Sequence, residues 1–360
     1  MSSQESIILK LKRLIPDIPK TQKSLRTELR SIKSLPIRTH VDLVKRNTMA
    51  NLIEARITAL DKIHRGELIA SFSPTENLVL RSIIFIHRPA FLIQNGEFPY
   101  PVPSSENSEI NWGEILSPHR NDIEKAIESV GRVEFSSNNE DEWNMATGFL
   151  VAENIMMTCR HVAEFFCEYN NSNNQWTFKT DKKNRRIDYH EEKDNDKALE
   201  FKIKEIVKVY DNPDIALFKI TKTTKVSWSD KRQNHPEPLI LADNMPNPAN
   251  NKVYIVGYPN VDTTEPDYNL VAVLEGILGV KRLQPGITKS IPGGDPKILY
   301  HDCSITYGNS GSCVIDINTN QVIGLQYRGI YSSDRNEAVA LPNLDAGIKN
   351  ELKQYGVKFA

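Results

Sequence analysis

The chain has 360 residues, of which 39% are hydrophobic, enough length and apolar content to give two ordinary domains with buried cores. Its formal net charge of -1 excludes a uniformly basic nucleic-acid binder, although residues 1–80 hold fourteen Lys and Arg against eight Asp and Glu. No basic run exceeds two or three residues, so this local excess reads as the solvated face of helices, and a nucleic-acid partner is not expected.

Residues 5 to about 86 read as helical. From Met49 through Ile53, Ile57 and Leu60 to Ile63 apolar positions recur every three or four residues, with Asn51, Glu54, Arg56 and Asp61 between them, which predicts an amphipathic helix. Shorter helices around Ile7–Leu14 and Leu25–Leu35, punctuated by Pro16, Pro19 and Pro36, supply a partner for that stripe. The opening stretch, Met1 to Asp17, alternates apolar and charged residues and lacks the continuous apolar core of a secretory signal. No apolar run reaches membrane-spanning length, so a cytoplasmic protein without a membrane partner is expected. The Pro- and polar-rich segment Asn95–Ser108 marks a boundary, and Ser117-Pro118 opens a short helix to about Glu128. The expected organisation is a helical module over 1–82 that docks a protein partner, a connector over 83–128, and a main domain over 129–360.

From Gly131 the pattern turns to short β-type runs: Arg132–Phe135, Thr147–Val151, Ile155–Thr158, Phe201–Val209, Ile215–Ile220, Lys252–Gly257, Leu270–Leu278, Ile298–Asp302, Ser312–Ile315 and Val322–Tyr327. Many short strands separated by turns predict a closed or nearly closed antiparallel β architecture. Asn170–Gln175 and Thr180–Lys197 are too polar to pack and are expected at the surface as loops or a hairpin. The four cysteines, Cys159, Cys167, Cys303 and Cys313, read as reduced core thiols. With no Cys-x-x-Cys or His-Glu-x-x-His spacing, neither a metal nor another cofactor is expected.

Three segments carry chemistry. Tyr307-Gly308-Asn309-Ser310-Gly311-Ser312 bends the backbone so that a serine hydroxyl and backbone N–H groups face one spot. Serine is a poor nucleophile at neutral pH and needs an imidazole base, which in turn needs a carboxylate to hold its tautomer. His161, just after the apolar run Ile155–Met157, and Asp214, just before Ile215–Phe218, meet both needs in the chain order His, Asp, Ser. Gly308 and Ser310 are the expected backbone N–H donors to a tetrahedral oxyanion. Asn309 carries no charge, so maturation through an ion pair with a freed N-terminus is not expected.

Taken together, these blocks resemble the bacterial trypsin-like serine peptidases. The likeness covers about residues 83–345 and rests on Ala146–Val151, Thr158–Ala163, Asp214–Phe218, Val256–Pro259, Val280–Gly286 and His301–Ser304 running into Gly308–Ser312. The resemblance implies two six-stranded antiparallel β-barrels of the chymotrypsin type with the three residues in the cleft between them. It also implies hydrolysis of a protein or peptide substrate. By the same resemblance Ser304 lies at the floor of the pocket for the residue whose carbonyl is attacked, and the strand of Gln326, Tyr327, Arg328 and Gly329 pairs with the substrate backbone. Peptidases of this kind resemble members of defence or stress systems, in which a helical N-terminal module recruits or restrains the enzyme. A competing reading is a silent adaptor that uses the cleft to hold a peptide strand.

Overall fold

The computed structural model describes residues 18–34, 40–67, 73, 88–103, 110–136, 143–195, 197–222, 236–246, 250–260, 274, 277–329 and 335–360. They fall into two compact units, one with the N-terminal helices and a larger one of Arg88–Pro103, Trp112–Asp262 and Ile277–Ala360.

In the smaller unit α1 (Ile18–Lys33) and α2 (His40–His64) form a pair. Pro19 sits in the first turn of α1, where a missing N–H costs nothing. Ile53, Leu60 and Ile63 of the predicted stripe are buried, as are Ile18 and Leu25 on α1, and Gln22 Nε2 donates to Ile57 O at 3.2 Å. The expected helix at Ile7–Leu14 lies outside the described residues.

The larger unit opens with β1 (Phe91–Leu92), α3 (Trp112–Leu116), a 3-10 turn at Ser117–His119 and α4 (Arg120–Glu128). Then β2 (Val130–Ser136), β3 (Trp143–Ala152), β4 (Ile155–Thr158), β7 (Asn184–Asp188), β8 (Glu200–Val209) and β9 (Ala216–Lys222) close into an antiparallel barrel in the order β2-β3-β4-β9-β8-β7. Helix α5 (Arg160–Phe166) and a hairpin of β5 (Cys167–Asn170) and β6 (Gln175–Phe178) leave the barrel after β4. Val133, Phe149, Met157, Phe201 and Phe218 have no solvent exposure and fill the interior. Each such side chain contributes about 1.5–3 kcal/mol of transfer free energy.

The second barrel uses β10 (Lys252–Gly257), β11 (Arg282–Lys289), β12 (Ile298–His301), β13 (Cys313–Asp316), β14 (Val322–Gly329) and β15 (Asn336–Ala340), in the order β11-β10-β13-β14-β15-β12. Pairing of Thr288 with His301 and of Lys289 with Tyr300 closes the ring, and β1 adds to the outside of β11. Its core includes Val253, Ile255, Leu299, Val314, Ile323 and Ala338. Helix α6 (Ala346–Gln354) follows. The fold is therefore two closed six-stranded antiparallel β-barrels, as the resemblance implied.

Some elements depart from the sequence reading. Strand β7 lies inside the stretch Thr180–Lys197 expected at the surface, because its arginines do not face water alone: Arg186 pairs with the buried Glu134 and, at 2.7 Å, with Glu200. Strand β11 has Pro285 and Gly286 in its middle, which mask it as a strand by pattern. Strand β15 and helix α6 were also unmarked. The expected strand Leu270–Leu278 falls largely outside the described residues.

Candidate active site

Strand β4 ends at Thr158, Cys159 stays extended, and α5 begins at Arg160, so His161 stands in the first helical turn at the barrel rim. The first N–H groups of a helix have no partner within it. Here Asp214, in the turn before β9, supplies one: its Oδ1 accepts the backbone N–H of His161 at 3.0 Å. Its Oδ2 lies 2.7 Å from His161 Nδ1. The carboxylate thus holds both the backbone and the ring of one residue. With Nδ1–H donating to Asp214, the proton-accepting lone pair of the imidazole is on Nε2. Burial pushes the Asp214 carboxyl up, but the hydrogen bond and charge of His161 outweigh it and hold the group below its ordinary value. Its side chain is 26% exposed.

The serine segment comes to the same place through five hydrogen bonds. Gly311 N–H donates to Gln326 O at 2.8 Å and Gln326 N–H to Ser312 O at 2.9 Å, which seats the segment on β14. Cys159 Sγ donates to the same Gln326 oxygen at 3.1 Å, two residues before His161. Thr147 N–H donates to Ser310 O at 2.9 Å, and Thr147 Oγ1 to Gly308 O at 2.7 Å. Gly308 and Gly311 have φ of 88° and 90°, a region that side chains disfavour. At Gly311 a Cβ would also run into Thr147 O and Thr158 Oγ1, so the loop can lie this close to the His161 element only as glycine.

Ser310 is half-buried, and its hydroxyl makes no hydrogen bond among the described residues, so the link to His161 is open in this state. Catalytic hydrogen bonds are commonly long until substrate binds. Asn309, Gly311 and Ser312 N–H groups have acceptors at 3.2, 2.8 and 3.0 Å, whereas those of Gly308 and Ser310 have none among the described residues. Asn309 is buried, with Oδ1 unmatched beside Gly257.

Ser304 is buried, and its hydroxyl donates to Arg88 O. Asp302 is occupied: Arg88 grips both its oxygens at 2.8 Å, Lys289 adds a contact at 2.8 Å, and Ile287 N–H donates to Oδ1 at 2.8 Å. Arg328 is 66% exposed and 3.9 Å from Glu337, while Tyr327 OH donates to Glu337 at 3.0 Å. Gly329 lies at the end of β14, half-buried. Gln326 was named only in the strand that pairs with substrate; its bonds to the serine turn, and those of Thr147, were missed because they depend on backbone oxygens and on distant segments meeting.

Among the described residues one cluster of donors could hold a metal: Cys159, His161 and Asp214 have ligand atoms within 4.8 Å of one another. Nδ1 and Oδ2 are already spent on each other. The Cys159 thiol is pushed well above its ordinary value by burial and by the Asp214 charge, which opposes the thiolate a metal needs. All four cysteines are buried and free.

The sequence profile of the trypsin-like peptidase domain matches residues 146–325, half of the chain. Among solved structures, the Rv3671c protease from M. tuberculosis in its active form is similar at 17% identity, over 71% of this chain and 94% of that one, with a TM-score of 0.42. The inactive form of Rv3671c protease aligns at 18% identity over 69% and 97%, with a TM-score of 0.39. The profile match over half of its length means that this chain belongs to the trypsin-like peptidase domain family.

Proposed function

We propose that the protein is a serine endopeptidase in which Ser310 attacks a peptide carbonyl, His161 takes and returns the proton, and Asp214 holds the imidazole. The observation that carries this reading is the double hold of Asp214 on His161, next to a serine turn fixed to the same strand end by Gln326. In the first step the Ser310 Oγ–C bond forms as the hydroxyl proton passes to His161 Nε2. The oxyanion is then stabilised by Gly308 and Ser310 N–H, and collapse expels the amine after it receives the proton from His161. Water repeats the sequence and releases the acyl group.

The N-terminal helical pair is read as the part that recruits or restrains the peptidase, in a cytoplasmic setting such as a defence or stress system. Among the described residues no helix is long and apolar enough to cross a membrane. The alternative, a silent peptide-binding adaptor, is less well supported, because a binding cleft has no need of free oxyanion donors. A fluorophosphonate probe decides between them: it labels the chain at Ser310 and not the Ser310→Ala variant if the peptidase reading holds. An unlabelled, folded chain refutes it.

A further inference from the structure

Resting on the peptidase reading, we propose that Thr147 is a positioning residue for the reaction: from the first barrel it holds the carbonyls of Gly308 and Ser310, and so fixes the turn that carries the nucleophile and the oxyanion donors. Strand β4 pairs with β3 only from Phe149 onward, so Thr147 lies on a stretch of β3 that β4 has left. The serine turn bonds that stretch instead. Thr147 N–H donates to Ser310 O at 2.9 Å and Thr147 Oγ1 to Gly308 O at 2.7 Å. The hydroxyl also accepts the Tyr258 N–H at 3.2 Å, and its one proton is committed to Gly308 O. Thr147 O accepts from Thr158 Oγ1 at 2.7 Å, which ties the same residue to the strand end that leads into His161. Thr147 is fully buried, so these bonds are made away from water.

A turn of this composition does not hold its shape by itself. Gly308 has a φ of 88°, and glycine populates positive and negative φ with similar ease, so the backbone can turn over there at little cost. The polar side chains of the turn restrain it little: Asn309 Oδ1 and Ser312 Oγ, both against Gly257, are buried without a partner, and Asn309 Nδ2 reaches Thr306 O only at 3.4 Å. The restraint comes through the backbone carbonyls. A trans peptide points its N–H opposite to its C=O. Asn260 N–H on Tyr307 O at 2.6 Å therefore sets the direction of the Gly308 N–H, and Ser312 N–H on Asn309 O at 3.0 Å sets that of the Ser310 N–H. The peptide joining these two donors is Gly308–Asn309, and its carbonyl is the one that Thr147 Oγ1 holds. The hydroxyl thus fixes one donor relative to the other, and the Thr147 N–H fixes the peptide that follows Ser310.

Donors stabilise an oxyanion best when they are in place before the charge develops, and removing one such donor lowers kcat by about 10²–10³. Without the Thr147 hydroxyl, Gly308 O and Tyr258 N–H lose their buried partner, which favours a turned-over Gly308–Asn309 peptide. Contacts that hold the substrate elsewhere are untouched by this change. The loss therefore falls on the transition state and not on ground-state binding.

The test uses the full chain. Thr147→Val keeps the β-branched shape and both backbone bonds and removes only the hydroxyl. We expect the rate of fluorophosphonate labelling, and kcat on a fluorogenic peptide that the wild type cleaves, to fall about 10- to 100-fold, with KM within about twofold. A peptide aldehyde of the same sequence, whose adduct with Ser310 carries the tetrahedral oxygen, should bind more weakly by about the same factor. Thr147→Ser restores the hydroxyl without the methyl group and should recover most of the rate. If Thr147→Val does not fold, Thr147→Cys is compared with Thr147→Ser: the two differ only in the donor, a thiol is the weaker one, and the serine variant should be about tenfold faster. A labelled wild type whose valine variant stays within about threefold in kcat overturns the proposal. So does a loss carried by KM, a loss that serine does not recover, or a cysteine variant as fast as the serine one. Failure of labelling in the wild type sinks the peptidase reading instead, so the two failures are distinct.

Discussion

Asp214 meets His161 twice, through Oδ2 at 2.7 Å from ring Nδ1 and through Oδ1 at 3.0 Å from the backbone N–H. One carboxylate therefore sets both where the imidazole stands and which of its nitrogens carries the proton. An amide in its place keeps a possible acceptor for the backbone but can present its NH2 to Nδ1 and invert the tautomer. Asp214→Asn should fold with an unchanged melting temperature within a few degrees and lose about 10⁴ in kcat. Retention of more than a tenth of the activity would remove Asp214 from the role assigned to it.

Ser310→Ala and His161→Ala should each lower peptide hydrolysis by about 10⁴-fold or more, because either change leaves only binding and the oxyanion donors. The double variant should be no slower than the worse single one. Steady-state rates on one peptide, with circular dichroism to check folding, measure this; additive losses would mean that the two side chains act independently.

Gly311→Ala should be destabilised by more than about 2 kcal/mol, since a φ of 90° is unfavourable for alanine and its Cβ meets Thr147 O and Thr158 Oγ1. Chemical denaturation reports the loss. Gly347→Ala, where nothing lies within 4 Å of the added carbon, is the control and should be within about 0.5 kcal/mol of wild type.

Asp302 gives a pH prediction. Burial raises its carboxyl, but the hydrogen bonds and charges of Arg88 and Lys289 dominate and bring it down to about 2. The folded value lies below the unfolded one, so the stabilisation is fully present above about pH 4 and is lost as pH falls toward 2. A shift of this size corresponds to about 2 kcal/mol. Asp302→Asn, which strands two cations, should be less stable than wild type at pH 7 by about 3 kcal/mol, with the difference shrinking between pH 4 and 2. A pH-independent difference would place the effect in packing rather than charge.

Much of this arrangement could be read along the chain. Strands β4 and β10 begin and end where alternation and flanking turns put them, since a run with one face to a core has few ways to pair. The order His161, Asp214, Ser310 likewise named residues for one chemistry before any geometry was known. Strands β7 and β11 were hidden because their polar or helix-breaking residues are tolerated only by partners that the local sequence does not contain, Glu134 for Arg186 and the flanking strands for Pro285.

The sequence by itself determined the run of short β-strands and the glycines of the serine turn, because these depend on neighbours a few residues apart. Tertiary structure alone decided that Asp302 is bound by Arg88, that the Gly308 and Ser310 N–H groups have no acceptor among the described residues, and that His301 bonds Gln326. Those outcomes depend on hydrogen bonds between residues up to 214 positions apart. Which donor finds which acceptor is fixed only when the barrels close and every buried polar group must take the partner within reach.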